Sequence, residues 1–402
     1  MVSDQLDPLA QILEQLTLDI VEEESEEISQ PVIASLLSQV SKLVEKLVER
    51  FDSFRAIFLE GLDSRIGRRI SVYPKTSEKV PGAAVDSTWP PDGGIELVGG
   101  HLIGIVAGYH IFNAKRDIGI KSRGVYTRLF FVDSEEARKK IPLAAKLLEK
   151  KVGMKLLGLV GDGKLDITML LLDGEIIPYQ LLFKGQQTIM NRRLLHRLDA
   201  AVARLLEMAR ENNIVIVGIV KRSYSHLAST LHGRLLPLND KALMSIVLRK
   251  QEYMVLGKFR DILPAYARIL ANSGRAPSKL PQIIAERLGV RPEYGEVVVA
   301  FYKPSITVPY NQAVRIEVYG VNNENELERI IALLDSMTNP ATGLPTPVDL
   351  IDEYIRFESR SLELVRRRIV SELATRLGPA VTTLLSHTNP EKRYLYEPRR
   401  RL

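Results

Sequence analysis

Residues 83–94 read AAVDSTWPPDGG. A short apolar run, Ala83-Ala84-Val85, ends in Asp86, and the single tryptophan, Trp89, precedes Pro90-Pro91. An apolar run closed by turn-forming residues reads as a buried strand that stops at Asp86. The same grammar recurs at 167–174, ITMLLLDG, where an aliphatic run ends in Asp173. A strand-ending aspartate is a common turn-former. Whether these two do more depends on how the intervening chain places their strands.

Between them, HLIGIVAGYHIF at 101–112 and GVYTRLFFVD at 124–133 read as two further strands. A helical pattern then runs from SEEARKK at 134 into PLAAKLLEKKVGMKLLGLV from Pro142, and GDGKLD at 161–166 is a loop. After Asp173 come a helix over roughly 190–211 and the run IVIVGIV at 214–220, apolar throughout and suited to the middle of a sheet. Three strands, helix, strand, helix, strand is the order of a ribonuclease H-like α/β fold, a mixed sheet flanked by helices. In such a sheet the first and fourth strands are adjacent and parallel, so Asp86 and Asp173 would meet at one edge. Carboxylates gathered there repel one another unless a cation lies between them. Hard oxygen ligands select Mg²⁺ or Mn²⁺, the ions that serve phosphodiester hydrolysis.

The rest of the chain is mixed. Helices are expected at 239–249, 264–272, 281–290, 324–337 and 346–377, and strands at 296–302 and 313–319. Amphipathic helices at 4–23 and 31–62 flank the acidic run VEEESEEISQ. The 402 residues carry 55 Lys and Arg against 49 Asp and Glu, a net +6 that suits a nucleic-acid partner. Cysteine is absent, which excludes disulfides, thiol catalysis and cysteine-based zinc sites and points to a cytoplasmic protein. The acidic N-terminus does not read as a signal peptide, no run is long enough for a membrane span, and the composition resembles that of thermophile proteins. There is no G-x-x-x-x-G-K-[ST] motif, so any ATP hydrolysis falls to another subunit. The 6 histidines show no metal-ligand spacing. Lys221 and Arg222 follow the IVIVGIV strand and Lys303 follows another, where they suit phosphate contacts. Trp89 and Tyr109 are candidate stacking residues, and Arg399–Arg401 could grip DNA or a partner.

From Asp86 onward, over roughly residues 80–360, the chain resembles the NurA family of archaeal and bacterial DNA-end nucleases. The similarity rests on an ordered set of short motifs: AAVDSTWPPDGG, LLLDGEI, IVGIVKRSYSHLAST, NDKALMSIVLRKQE, FYKPSITVPYNQAVRIEVYG and GLPTPVDLIDEY. It implies an N-terminal helical region at 1–80, a nuclease domain with a ribonuclease H-like core at 81–360, and a C-terminal helix and basic tail at 361–402. It also implies a homodimer that degrades DNA ends in repair, as a 5′-to-3′ exonuclease and single-strand endonuclease dependent on Mn²⁺ (or Mg²⁺), with the hexameric translocase HerA as partner. Asp86 and Asp173 fall on the family's metal-binding aspartates. The family's glutamate on the preceding helix corresponds to Glu149 or Glu136; Glu149 is preferred because the GDGKLD loop absorbs the longer interval. In the closing motif the family's tyrosine position holds Leu344 and its histidine position holds Asp352, with Asp349 and Glu353 as rivals. The Gly that follows the first motif's Asp is also missing. These departures keep open a non-catalytic DNA-binding or scaffolding subunit, and a nuclease acting on RNA is a third reading.

Overall fold

The computed structural model describes residues 69–386 apart from 91–93, 133–139, 184–188, 222–224, 237, 308–311, 357–358, 379–382 and 384, together with parts of 37–49. The chain divides into two compact units, Met1–Ser64 and Arg65–Leu402. In the first, the described residues include short helical stretches within 37–49; the rest of the expected helices at 4–23 and 31–62 lies outside the described residues, as do residues 134–139 of SEEARKK and the basic tail.

The second unit is built on apolar runs that become strands. In chain order they begin with β1 (Ile70–Val72), β2 (Gly82–Thr88), β3 (Ile95–Leu97), β4 (Gly100–Phe112), β5 (Lys115–Arg116) and β6 (Arg123–Val132). Next come α1 (Ile141–Gly161), β7 (Leu165–Asp166), β8 (Met169–Asp173), α2 (Tyr179–Phe183), α3 (Ile189–Glu211), β9 (Val215–Val220) and α4 (Asp240–Val247). The remainder is β10 (Glu252–Lys258), α5 (Phe259–Asn272), α6 (Leu280–Val290), α7 (Pro292–Gly295), β11 (Val298–Tyr302), β12 (Val314–Tyr319), α8 (Glu324–Ser336), α9 (Thr346–Tyr354) and α10 (Ser359–Leu377).

One sheet has the order β1-β10-β11-β12-β9-β8-β2-β4-β3, with β6 also paired to β4. β2 and β6 flank β4 antiparallel, β2 runs parallel to β8, and β8 runs parallel to β9. This is the mixed core expected from the element order. β12, β11, β10 and β1 extend it antiparallel beyond β9. β8 is buried from Met169 through Leu172, as an aliphatic run in the middle of a sheet must be. On one face, Ala84, Leu171, Ile219 and Ile316 form a core with Ile331 and Leu334 of α8 and Val348 and Ile351 of α9. On the other, α1 packs on β2, β4 and α3.

Several elements differ from the sequence-based reading. The strand expected to stop at Asp86 runs on to Thr88, because its pairing with β4 continues through Ser87 and Thr88. β10 and β1 were not expected. β10 carries charge at both ends, and its pairing with β11 shifts register between Val255 and Gly257, which breaks the period-two signal. α5 starts at Phe259, not near Pro264; the proline sits inside the helix, although its ring usually marks a first turn. The single helix expected at 346–377 is two. Ile351 and Ile355 join the central core, whereas Leu362 of α10 packs with Ile95, Leu97 and Leu102 on the β3–β4 hairpin. One straight helix cannot serve both apolar contacts, so the chain turns after Ile355.

α9 approaches the sheet closely because Gly108 lies beneath it. A Cβ at 108 would overlap Cγ2 of Ile355 and come within 3.1 Å of Cδ1 of Ile351. Gly108→Val should therefore lift α9 and lower stability by about 2 kcal/mol, in the usual range for overpacking, measured as a reduced urea midpoint at unchanged slope. An unchanged midpoint would show that α9 is not seated by this contact.

Candidate metal centre

The parallel pairing of β2 and β8 sets Val85 opposite Leu172. One step further along come Asp86 and Asp173 on adjacent strands; β8 ends at Asp173, whereas β2 runs on through Ser87 and Thr88. α9 crosses the same face and adds Asp352. One carboxylate oxygen from each of Asp86, Asp173 and Asp352 lies within 4.8 Å of the others. Asp86 is buried, Asp173 is half-buried and Asp352 is exposed, so the group opens to solvent on the α9 side.

Three carboxylates this close are electrostatically costly. Burial, then the charges of Asp173, Glu149 and Asp352, push the Asp86 carboxyl well above the usual range. Burial also pushes Asp173 up to about 6, although Lys221 works in the opposite direction. The Lys221 ammonium lies between two members of the group, with Nζ 2.8 Å from Oδ2 of Asp173 and 2.8 Å from Oδ2 of Asp352. Burial disfavours that ammonium, but the charges and hydrogen bonds of Asp173 and Asp352 outweigh it and raise its pKa. A hard divalent cation fits this donor set, because it would replace mutual repulsion with three attractions.

Glu149 of α1 reaches the edge from the other face of the sheet. The Ser87 hydroxyl donates to its Oε2 at 3.2 Å, and Lys150 Nζ donates to its Oε1 at 2.7 Å. It stands beside the group of three, and its charge raises both aspartates. The alternative, Glu136, and the neighbouring Arg222 lie outside the described residues. Asp349 accepts hydrogen bonds from Asn339 and Thr342 in the preceding loop, and Glu353 is exposed, so Asp352 is the α9 carboxylate that joins the group. Leu344 packs against the central core. Lys303 is not gathered with these residues; it is buried and donates from Nζ to the Ser245 carbonyl at 2.7 Å. Trp89 packs half-buried against the Ile103–Ile105 cluster, and the ring of Tyr109 lies 6.4 Å from that of Tyr126.

Several supporting residues escaped the sequence reading. Lys150 is fully buried and also donates to the Glu175 carbonyl at 3.0 Å. Glu317 of β12 accepts from the Ile176 amide at 2.9 Å and pairs with Arg315 at 2.6 Å, which ties down the turn after Asp173. The only signal was the alternation of charged and apolar residues in VRIEVY, a pattern that ordinarily marks a solvated face. Gly218 completes that turn: a Cβ there would come within 2.6 Å of the Gly174 carbonyl oxygen.

Strand order and edge chemistry together define a mixed α/β protein with a cluster of three carboxylates at one sheet edge. Residues 83–357 match the family model of the NurA domain, and the chain belongs to the NurA family. Among solved structures, the NurA nuclease from Sulfolobus solfataricus is 15% identical, with a TM-score of 0.52 over 84% of this chain and 98% of that one. A NurA structure bound to dAMP and manganese is 12% identical, with a TM-score of 0.47 over 86% of this chain and 99% of that one. No curated protein sequence matches the chain.

The repulsion has a pH signature. A carboxyl whose pKa is raised by folding contributes stability while protonated. For Asp173 that contribution is complete below its ordinary value of 3.8 and is lost as the pH rises through about 6. In EDTA, Asp86→Asn should therefore melt above the wild type at pH 8 by about 2–4 °C, with the gap closing as the pH falls toward 4. Differential scanning fluorimetry across that range checks it; a variant melting no higher than the wild type at pH 8 would contradict the repulsion.

Proposed function

We propose that this chain is a divalent-metal-dependent deoxyribonuclease that trims DNA ends. The edge where Asp86, Asp173 and Asp352 converge supports this reading most directly. Membership of the NurA family and a fold like that of a NurA nuclease agree with it. Asp86, Asp173 and Asp352 hold Mn²⁺ or Mg²⁺, and Glu149 assists from the opposite face. A divalent ion held there supplies Lewis-acid polarisation of a phosphodiester and lowers the pKa of water. The protein's own part is positioning. β2 and β8 fix two carboxylates on adjacent backbones, and α9 closes the third side. Ser87 and Lys150 orient Glu149. Lys221, and Arg222 beside it in sequence, steer the DNA backbone toward the edge. The chain acts as a homodimer with the HerA translocase in end resection, as a 5′-to-3′ exonuclease with single-strand endonuclease activity.

One observation favours a second reading. Lys221 already bridges Asp173 and Asp352, so a fixed internal ammonium could satisfy the group in a non-catalytic, DNA-binding subunit of the same assembly.

Cleavage of DNA labelled at the 5′ or the 3′ end, with Mn²⁺, Mg²⁺ or EDTA, separates the two. Loss of a supporting residue around a metal commonly costs 10–100-fold, so loss of a ligand in Asp173→Asn should cost about a hundredfold or more. Metal-dependent cutting that disappears in this variant supports the nuclease. If neither protein cuts, even with HerA and ATP present, while both bind DNA ends, the scaffolding subunit replaces it.

A further inference from the structure

The Lys221 ammonium occupies two of the oxygens that a cation at this edge would need. Its contacts, 2.8 Å to Asp173 Oδ2 and 2.8 Å to Asp352 Oδ2, are the short, charge-assisted kind. A divalent ion bound to the same oxygens would sit against a half-buried ammonium, where like charges repel. The two occupants therefore exclude each other. The backbone at 221 does not need to move for one to replace the other. It continues directly from β9, and its carbonyl accepts a hydrogen bond from Lys241 Nζ at 2.8 Å. Only the side chain has to swing. It has somewhere to go, because the Asp352 side chain is 57% exposed and the group opens on that side.

We infer that Lys221 is the resident counter-ion of the carboxylate edge, exchanging with the divalent cation and passing to a nucleic-acid phosphate once displaced. The inference rests on the cation site of the proposed nuclease and adds a role for Lys221 within it. In the metal-free protein the ammonium offsets part of the repulsion at Asp173 and Asp352, the job that a metal does when bound. Displacement leaves a tethered cation beside the site with no carboxylate partner, and a phosphodiester is the ligand that restores one. Metal and DNA thereby favour each other's binding, since each removes a cost the other would face. The exchange also weakens metal binding when DNA is absent, which holds hydrolysis back until substrate arrives.

Two readouts test this without relying on turnover. The first is Mn²⁺ binding by electron paramagnetic resonance at pH 8, for wild type, Lys221→Met and Lys221→Arg, with folding checked by near-ultraviolet circular dichroism. Removing the competing ammonium should tighten Mn²⁺ binding about tenfold in Lys221→Met, given two charged hydrogen bonds surrendered in the exchange. Lys221→Arg should restore the weaker, wild-type affinity. The second needs no variant: amine-reactive ester labelling of the wild-type protein, read at Lys221 by mass spectrometry. Labelling should rise several-fold on adding Mn²⁺, with a midpoint at the measured dissociation constant, and fall again when a DNA oligonucleotide is added. Equal Mn²⁺ affinity in wild type and Lys221→Met, or Mn²⁺ binding with Lys221 labelling unchanged, overturns the exchange and leaves the cation site standing. No Mn²⁺ binding by any of the three proteins overturns the cation site and the exchange together.

Discussion

The structure turns on the parallel register of β2 and β8. It brings two aspartates to the same buried edge, and every nearby element answers the repulsion this creates. A single buried carboxylate can be neutralised by taking up a proton. Several together share the penalty, so burial and mutual charge raise Asp86 and Asp173. A fold selected only for stability would place an apolar residue at one of these two positions. Retaining the carboxylates makes sense where a cation completes the group, and it leaves the metal-free protein with a local deficit that its cationic residues partly offset.

Those cations are arranged on both faces. Lys221 serves Asp173 and Asp352 on the α9 face, while Lys150 serves Glu149 on the α1 face. Behind them, the buried Arg315–Glu317 pair anchors the turn that follows Asp173. The pair is not evidence of stability in itself, because desolvating two charges offsets much of their attraction. Its value is geometric: Glu317 gives the Ile176 amide a fixed partner inside the protein, so the chain beyond Asp173 leaves the sheet in one direction. A catalytic constellation needs that kind of support, since small displacements of a carboxylate change which ligands it can share.

The core was legible in the sequence because aliphatic runs signal buried strands, although only Asp173 also marks a stop: β2 continues past Asp86 to Thr88. AAVD and LLLD marked the two aspartates that come together, and the order of elements between them dictated that their strands be neighbours. Asp352 required more: its helix is remote in sequence, and a resemblance to the family's closing motif located it, whereas spacing alone left Asp349 and Glu353 as rivals. Packing resolves that choice. Ile351 and Ile355 bury one side of α9 over Gly108, and this seating brings Asp352 into the group. What stayed hidden in the sequence was burial of charge. Lys150 sits on an amphipathic helix where a lysine normally faces water, and Arg315 and Glu317 alternate with apolar residues as if on a solvated strand. Lys303 shows the same limit from the other side: a basic residue after a strand suggested a phosphate contact, but burial turns its ammonium toward a backbone carbonyl. Periodicity reports which residues share a face, but not which face the rest of the chain will cover.

The departure from the family's closing motif and the position of Lys221 form one electrostatic argument. A neutral imidazole at position 352 would add a ligand without adding charge. Asp352 adds a full negative charge to an edge that already carries Asp86, Asp173 and Glu149, and its charge raises the pKa of both central aspartates. Positive charge offsets part of that cost: the Lys221 ammonium touches the Asp352 carboxylate directly. At the proposed cation site the added carboxylate would strengthen the pull on a divalent ion, and Lys221 would compete with that ion for the carboxylate. A carboxylate there in place of an imidazole would favour harder cations, and occupancy would then depend on where the Lys221 side chain rests.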